Sequence, residues 1–165
     1  MFSEKLKKAI NDQINKEFYS SYLYLAMAAH FDAKALPGFA KWMKLQAGEE
    51  WTHGMKFYEY LYEVGSSVDL KAIELPPSQF GTPKEIFQQV LAHEQFVTAS
   101  INSIFELART EKDSKTELML HWFINEQVEE EKNARDILDK LEMSGNNSFG
   151  IMFLDQHVLG SRKGD

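Results

Sequence analysis

The sequence predicts an all-α protein: a four-helix bundle of two hairpins joined by one long crossover, with a short fifth helix at the end. Three observations predict it. Apolar residues recur at steps of three and four along almost the whole 165-residue chain, the signature of one buried helix face. The interruptions of that period are short at two places and long at one, which sets two hairpins on either side of a crossover. Four prolines and nine glycines are too few for an all-β fold, in which turns recur every ~8–12 residues.

The elements follow in order. Helix α1 is expected over 4–31, with Ser3 as its N-cap. Leu36-Pro37-Gly38 reads as a turn, and α2 as 39–64, closed by Gly65. The stretch 66–81 contains Pro76-Pro77, has no helical period and reads as an extended connection. Thr82-Pro83-Lys84-Glu85 combines a capping box with proline at the first helical position and opens α3, which continues to about 110. Ser114-Lys115-Thr116-Glu117 reads as a second capping box and opens α4, lasting to 143. After Gly145-Asn146-Asn147 a short α5 is expected over 148–159, and 161–165 as a loose tail. A helix of ~28 residues is ~42 Å long, and an extended link of ~16 residues reaches ~50 Å. The crossover is therefore long enough to run back along the bundle, and 1–165 reads as a single domain with its bundle at 4–143.

Composition narrows the function. Hydrophobic residues make up 44% and charged residues 26%, ordinary for a soluble globular chain. The absence of cysteine excludes disulfides, zinc–thiolate sites, iron–sulfur clusters and thiol nucleophiles. A formal charge of −7 argues against a nucleic-acid partner. The longest stretch free of Asp, Glu, Lys and Arg, 18–31, has 14 residues, short of the ~20 apolar residues that span a bilayer. The N-terminus lacks the apolar core of a signal peptide, so no membrane partner and a cytoplasmic location are expected.

The buried seams carry the chemistry. They run through Gln13, Glu17, Ser20 and Tyr24 on α1, and through Gln46, Glu50, His53 and Phe57 on α2. On α3 the seam passes Val90, Glu94 and Val97, and on α4 Phe123, Gln127, Glu130 and Ala134. Each is apolar at its ends and holds a glutamate near its middle. Glu17 lies 18 residues before the first turn near Ala35, and Glu50 lies 15 after it. Glu94 lies 18 before the second turn near Lys112, and Glu130 lies 18 after it. In antiparallel hairpins these positions share one depth, and His53 projects from the face of Glu50. No Lys or Arg on the seams is placed to pair with four carboxylates, whose unpaired burial is expensive. Two divalent cations would neutralise them, and oxygen ligands with one imidazole suit iron, with zinc or manganese also compatible. Glu50-Trp51-Thr52-His53 is one Glu-x-x-His of the di-iron pattern, whereas α4 offers Gln127-Val128-Glu129-Glu130 in place of the second. One metal position thus keeps a histidine and the other is all-oxygen.

Over essentially its full length the chain resembles the bacterial non-haem ferritins. The resemblance is carried by 11–17 (NDQINKE), by Tyr22-Leu23-Tyr24-Leu25, by 49–53 (EEWTH) and above all by 122–131 (WFINEQVEEE). It implies a ferritin-like fold and a ferroxidase that oxidises Fe(II) with O₂ or H₂O₂ and stores ferric mineral inside a 24-subunit shell. By the resemblance, Glu17, Glu50 and His53 form one iron position. Glu50 bridges to a second, held by Glu94 and Glu130 with Gln127 close by. Tyr24 matches the family tyrosine beside the centre, though as a residue it reads equally as core, and Trp122 reads as packing or as a redox-active neighbour. Glu49, Glu126 and Glu129, sharing Glu130, match a third iron position; without the resemblance 126–131 reads as a solvated acidic face.

Haem is not expected. The haem-binding relatives repeat Glu-x-x-His on α4 and carry a methionine where this chain has Thr52. Rubrerythrin-like proteins need cysteines that this chain lacks. The apolar residues Phe149, Ile151, Met152, Phe153, Leu154, Val158 and Leu159 spread around α5, which the bundle does not need, and point to a homo-oligomer. A di-iron oxidase of organic substrates and a passive metal-binding bundle are the rival classes.

Overall fold

A computed structural model of the chain describes residues 2–145 and 147–164. Met1, Asn146 of the expected 145–147 turn and Asp165 of the expected tail lie outside the described residues. The helices are α1 (Glu4–Ala33), α2 (Pro37–Glu63), α3 (Pro83–Glu111), α4 (Ser114–Met143) and α5 (Ser148–Leu154), the last running into a π-helical turn over Asp155–Leu159. Among the described residues there is no strand, and no helix is long and apolar enough to cross a membrane.

The helix ends explain where the boundaries fall. At the end of α1, Ala35 takes φ +58°, with Leu36 N donating to Phe31 O (3.1 Å) and Ala35 N to Asp32 O (3.2 Å). This paired closure consumes the last carbonyls. Pro37 then sits inside α2, where its missing N–H costs nothing. The first turn is thus tighter than Leu36-Pro37-Gly38 suggested. Lys112 (φ +57°) closes α3 in the same way, and Gly65 (φ +74°) closes α2 as expected. The Thr82–Glu85 capping box is present. The expected box at Ser114 is not: Asp113 caps α4 instead, its carboxylate accepting from Lys115 N (3.2 Å) and Thr116 N (3.1 Å). A carboxylate one residue earlier reaches both free N–H groups, so Ser114 is already helical. Ser3 holds the N-cap position of α1 without a side-chain cap bond.

The crossover is pinned to α1. Asn11 donates to Ser67 O (3.2 Å) and accepts from Asp69 N (2.7 Å), and Asn15 donates to Ala72 O (3.1 Å). Near its far end, His30 bonds Gly81 O at 3.0 Å. The strap therefore runs parallel to α1, so that α3 descends and α4 ascends.

The apolar interior is in two pieces. One, built around Phe31, Phe39, Phe87 and Leu141, fills the end of the bundle at the α1–α2 turn. The other, built around Leu6, Phe57, Ile101 and Phe123, fills the opposite end. Between them lies a buried polar layer.

The C-terminal segment is tied to α2 more closely than the bundle's needs suggested. Asp155 is buried and its Oδ1 accepts from Phe39 N (2.8 Å), capping α2 from a distant part of the chain. A Cβ on Gly38 would stand 1.8 Å from Asp155 O, so only glycine admits this approach. Leu154 and Leu159 join the first apolar cluster, while Phe149 (81% exposed), Met152 (55%) and Phe153 (51%) face outward. The fifth helix is thus shared between the subunit's own core and an uncovered apolar face. Asp155→Ala should lower the unfolding free energy by ~1–2 kcal/mol, the usual worth of an N-cap, read as a lower urea midpoint with the slope unchanged. An unaltered midpoint would refute the capping role.

Candidate metal centre

The polar layer is where the four seams meet. Glu17 comes from α1, Glu50 and His53 from α2, Glu94 from α3, and Gln127 and Glu130 from α4, and all six are at most 5% exposed. Their ligand atoms fall into groups within 4.8 Å of one another: Glu17 with Glu50 and His53, and Glu50 with Glu94 and Glu130. The two groups bring together the residues that the resemblance assigns to two iron positions, and Glu50 belongs to both groups.

Hydrogen bonds aim the carboxylates. Gln13 Nε2 donates to Glu17 Oε1 (2.7 Å). Gln46 Nε2 donates to Glu50 Oε1 (2.9 Å) and to Glu130 Oε2 (2.8 Å). Gln127 Nε2 donates to Glu94 Oε2 (3.2 Å), and the Tyr24 hydroxyl donates to Glu94 Oε1. His53 Nδ1 lies 3.4 Å from Glu50 Oε2. Among the described residues, Glu17 Oε2 is buried with no hydrogen-bond partner. An orphaned carboxylate oxygen facing Glu50 and His53 is what a cation-binding set presents when metal-free.

Sequence reasoning put Gln13 and Gln46 on the seams without assigning them a task. The signal was available: a Gln four residues before the Glu, on both α1 and α2. Each glutamine carbonyl is held in turn. Ser100 Oγ donates to Gln13 Oε1 (2.6 Å) and receives from Lys16 Nζ (2.6 Å). Arg162 Nη1 donates to Gln46 Oε1 (3.0 Å). Nothing in the local pattern announces Arg162, because it arrives from the tail.

The acidic residues matched to a third position are only partly assembled. Glu126 joins His53 and Glu130 in a further group within 4.8 Å. Glu49 is bonded to Arg162 Nη2 (2.6 Å). Glu129 is exposed and falls in none of the groups found among the described residues. Trp122 packs edge-on against His53 (centroids 5.5 Å apart) with Lys56 Nζ 4.2 Å above its ring.

The electrostatics express the crowding. Burial, then the Glu50 charge, pushes Glu17 and Glu94 well above the ordinary carboxylate range, and the same causes raise Glu130 to about 9. Burial opposes ionisation of Glu50 too, but the His53 hydrogen bond and charge together with Gln46 outweigh it and hold Glu50 low. Burial likewise disfavours charge on His53, and the bond to Glu50 overrides it. Burial thus favours the protonated form of Glu17, Glu94 and Glu130, while the contact between Glu50 and His53 favours the charged form of each. The proximity of Glu17 and Glu50 raises the one group and lowers the other. Burial, followed by the Glu94 charge, raises the Tyr24 hydroxyl well above its usual value.

The Ferritin-like domain family matches residues 7–144. The bacterial non-heme ferritin of Bacteroides fragilis is 41% identical over 162 residues, covering 98% of this chain and 100% of that protein. The bacterial non-heme ferritin of Staphylococcus aureus is 37% identical over 165 residues, covering 100% and 99%. Among solved structures, an open pore ferritin from the archaeon Archaeoglobus fulgidus superposes with a TM-score of 0.97 at 44% identity, covering 99% of this chain and 100% of that one.

Above about pH 4.5 the unfolded chain ionises Glu17, Glu94 and Glu130, whereas the folded metal-free chain keeps their protons. The folded state binds more protons, so these groups make stability fall as pH rises, until the folded value, about 9 for Glu130, is passed. Glu17→Gln should therefore raise the metal-free melting temperature by ~3–6 °C at pH 8, with little change at pH 4.5. A fall at both pH values would show that the carboxylate stabilises the empty fold.

Proposed function

The chain belongs to the ferritin family, and on that premise we propose that it is an iron-storage ferritin with an intra-subunit ferroxidase centre. The observation that carries this reading is the buried set Glu17, Glu50, His53, Glu94 and Glu130, with its orphaned Glu17 oxygen, at one level between two apolar clusters. Iron is the substrate and cargo. Glu17, Glu50 and His53 receive one Fe²⁺, and Glu50, Glu94 and Glu130 the other, with Gln127 and Tyr24 holding Glu94 in place. Loading displaces the protons that burial keeps on Glu17, Glu94 and Glu130. Two Fe²⁺ then give one electron each to O₂, which takes up two protons and leaves as H₂O₂; with H₂O₂ as oxidant the product is two waters. Hard oxygen ligands favour the ferric product. The histidine-free position releases it more readily, which suits mineral growth over a permanent cofactor.

Glu126, sharing Glu130 and with Glu49 on the same cavity, serves as a third iron position on the approach to His53, to which Glu129 would have to turn from its exposed position. A cavity of about 460 Å³ beside His53, lined in part by Lys44, Glu49, Thr52, Trp122 and Glu126, supports this. The outward apolar residues Phe149, Met152 and Phe153 support a homo-oligomer, for which we take the family's 24-subunit shell. The protein acts in the cytoplasm, without haem.

Fe(II) is added anaerobically at two per chain and then in large excess, air is admitted, and ferric absorbance is followed. Fast oxidation at low ratio is expected, with the excess kept as soluble protein-bound mineral. Glu50→Ala and Glu130→Ala should each slow the first phase by at least ~100-fold, the upper range of losing even an outer-shell partner. Oxidation that stops at two irons while the excess precipitates would instead identify a di-iron oxidase. Oxidation indifferent to both variants would leave a passive metal-binding bundle.

A further inference from the structure

Beyond the π-helical turn, Gly160 and Arg162 are held on α2, the latter within the stretch expected to be a loose tail. Lys41 Nζ donates to Gly160 O (2.9 Å), and the Arg162 guanidinium lies 4.4 Å from the Trp42 ring centroid. From this seat Nη1 donates to Gln46 Oε1 (3.0 Å) and to Trp42 O (3.4 Å), and Nη2 donates to Glu49 Oε2 (2.6 Å). The Arg162 side chain is only 16% exposed.

We propose that Arg162 is a positioning residue of the metal centre, seating the Gln46 amide so that its NH₂ end faces Glu50 and Glu130. The inference rests on the metal-centre reading above. A primary amide has an acceptor end and a donor end that exchange by a half-turn about its last bond. Against empty carboxylates the donor end is favoured. Once Glu50 and Glu130 give lone pairs to a cation, the carbonyl becomes a competing ligand and the half-turn competes too. A guanidinium on that carbonyl occupies it in both states, so Glu50 and Glu130 keep the orientation in which they would take a cation. Glu49 balances the Arg162 charge, and the seat adds no net repulsion to an arriving cation. The planar fork reaches Gln46, Trp42 and Glu49 in fixed directions, which an ammonium does not reproduce. On α1 the same device recurs, with Ser100 and Lys16 behind Gln13 and the Gln13 amide on Glu17.

Removing the Arg162 charge leaves Glu49 unbalanced and alters cation affinity through the field, so the test uses Arg162→Lys, which keeps the charge and loses the planar fork. It is made in wild-type and Gln46→Met backgrounds. Co²⁺ is the probe, followed by its visible absorption over the first two equivalents per chain. In the wild-type background Arg162→Lys should weaken Co²⁺ binding several-fold, toward the scale of a lost outer-shell partner, and shift the absorption band. In the Gln46→Met background the same substitution should change affinity by less than about twofold, because the amide it acts through is gone. Arg162→Met is the second variant, and its effect should also differ between the backgrounds, because the field of the unbalanced Glu49 is common to both. Equal effects of either variant in both backgrounds, or full affinity in Arg162→Lys, would overturn the proposal. Failure of the ferroxidase reading looks different: Glu50-dependent Co²⁺ binding in wild type without oxidation of Fe(II).

Discussion

Burial of several carboxylates in one layer, without enough cationic side chains to match them, is the constraint on which the rest of the structure depends. A protein interior does not tolerate isolated charge, and three of these groups answer by holding protons far above their ordinary range. The apolar residues arrange themselves around that layer as two separate clusters, one at each end of the bundle. Long helices are what make this possible. Four helices of 27 to 30 residues leave an apolar cluster on each side of the layer, and those ends hold the fold around it.

The layer is kept in shape by neutral donors rather than by counter-charges. Gln13, Gln46, Gln127 and Tyr24 each spend a proton on a carboxylate oxygen, which orients the group without neutralising it. A lysine or arginine in the same places would satisfy the carboxylates more strongly and close them to cations. Amides leave the negative potential available and still fix direction, the division of labour expected between ligands and their supporting shell. The basic residues, Lys16 and Arg162, stand one step further out, behind Ser100 and Gln46.

The C-terminal segment ties the end of the chain to this layer. Asp155 caps α2, Gly38 lets the backbones touch, Leu154 and Leu159 enter the core, and Arg162 reaches the polar layer from the same docked segment. The opposite side of that segment carries Phe149, Met152 and Phe153 toward solvent. One short stretch of chain thus turns an apolar face to solvent and brings a guanidinium to Gln46 at the edge of the polar layer.

What the sequence by itself determined is the part governed by period and local capping. Helical spacing located four long helices, Pro76-Pro77 marked the crossover, and Thr82-Pro83-Lys84-Glu85 placed the start of α3. Counting residues from the turns put Glu17, Glu50, Glu94 and Glu130 at one depth, since antiparallel helices share a constant rise per residue. The choice of Asp113 over Ser114 as the cap of α4 was nearly within reach, and turned on which side chain extends to two N–H groups at once. Only the tertiary structure decided the rest. That Glu126 stands with His53 and Glu130 while Glu129 faces solvent depends on the rotation of α4 about its axis, which a row of consecutive glutamates leaves ambiguous. That Asp155 caps a helix 116 residues away, and that Arg162 holds Gln46 and Glu49, comes from docking of one segment on another. Helical period reports which face a residue occupies, but not which distant segment will come to lie against it.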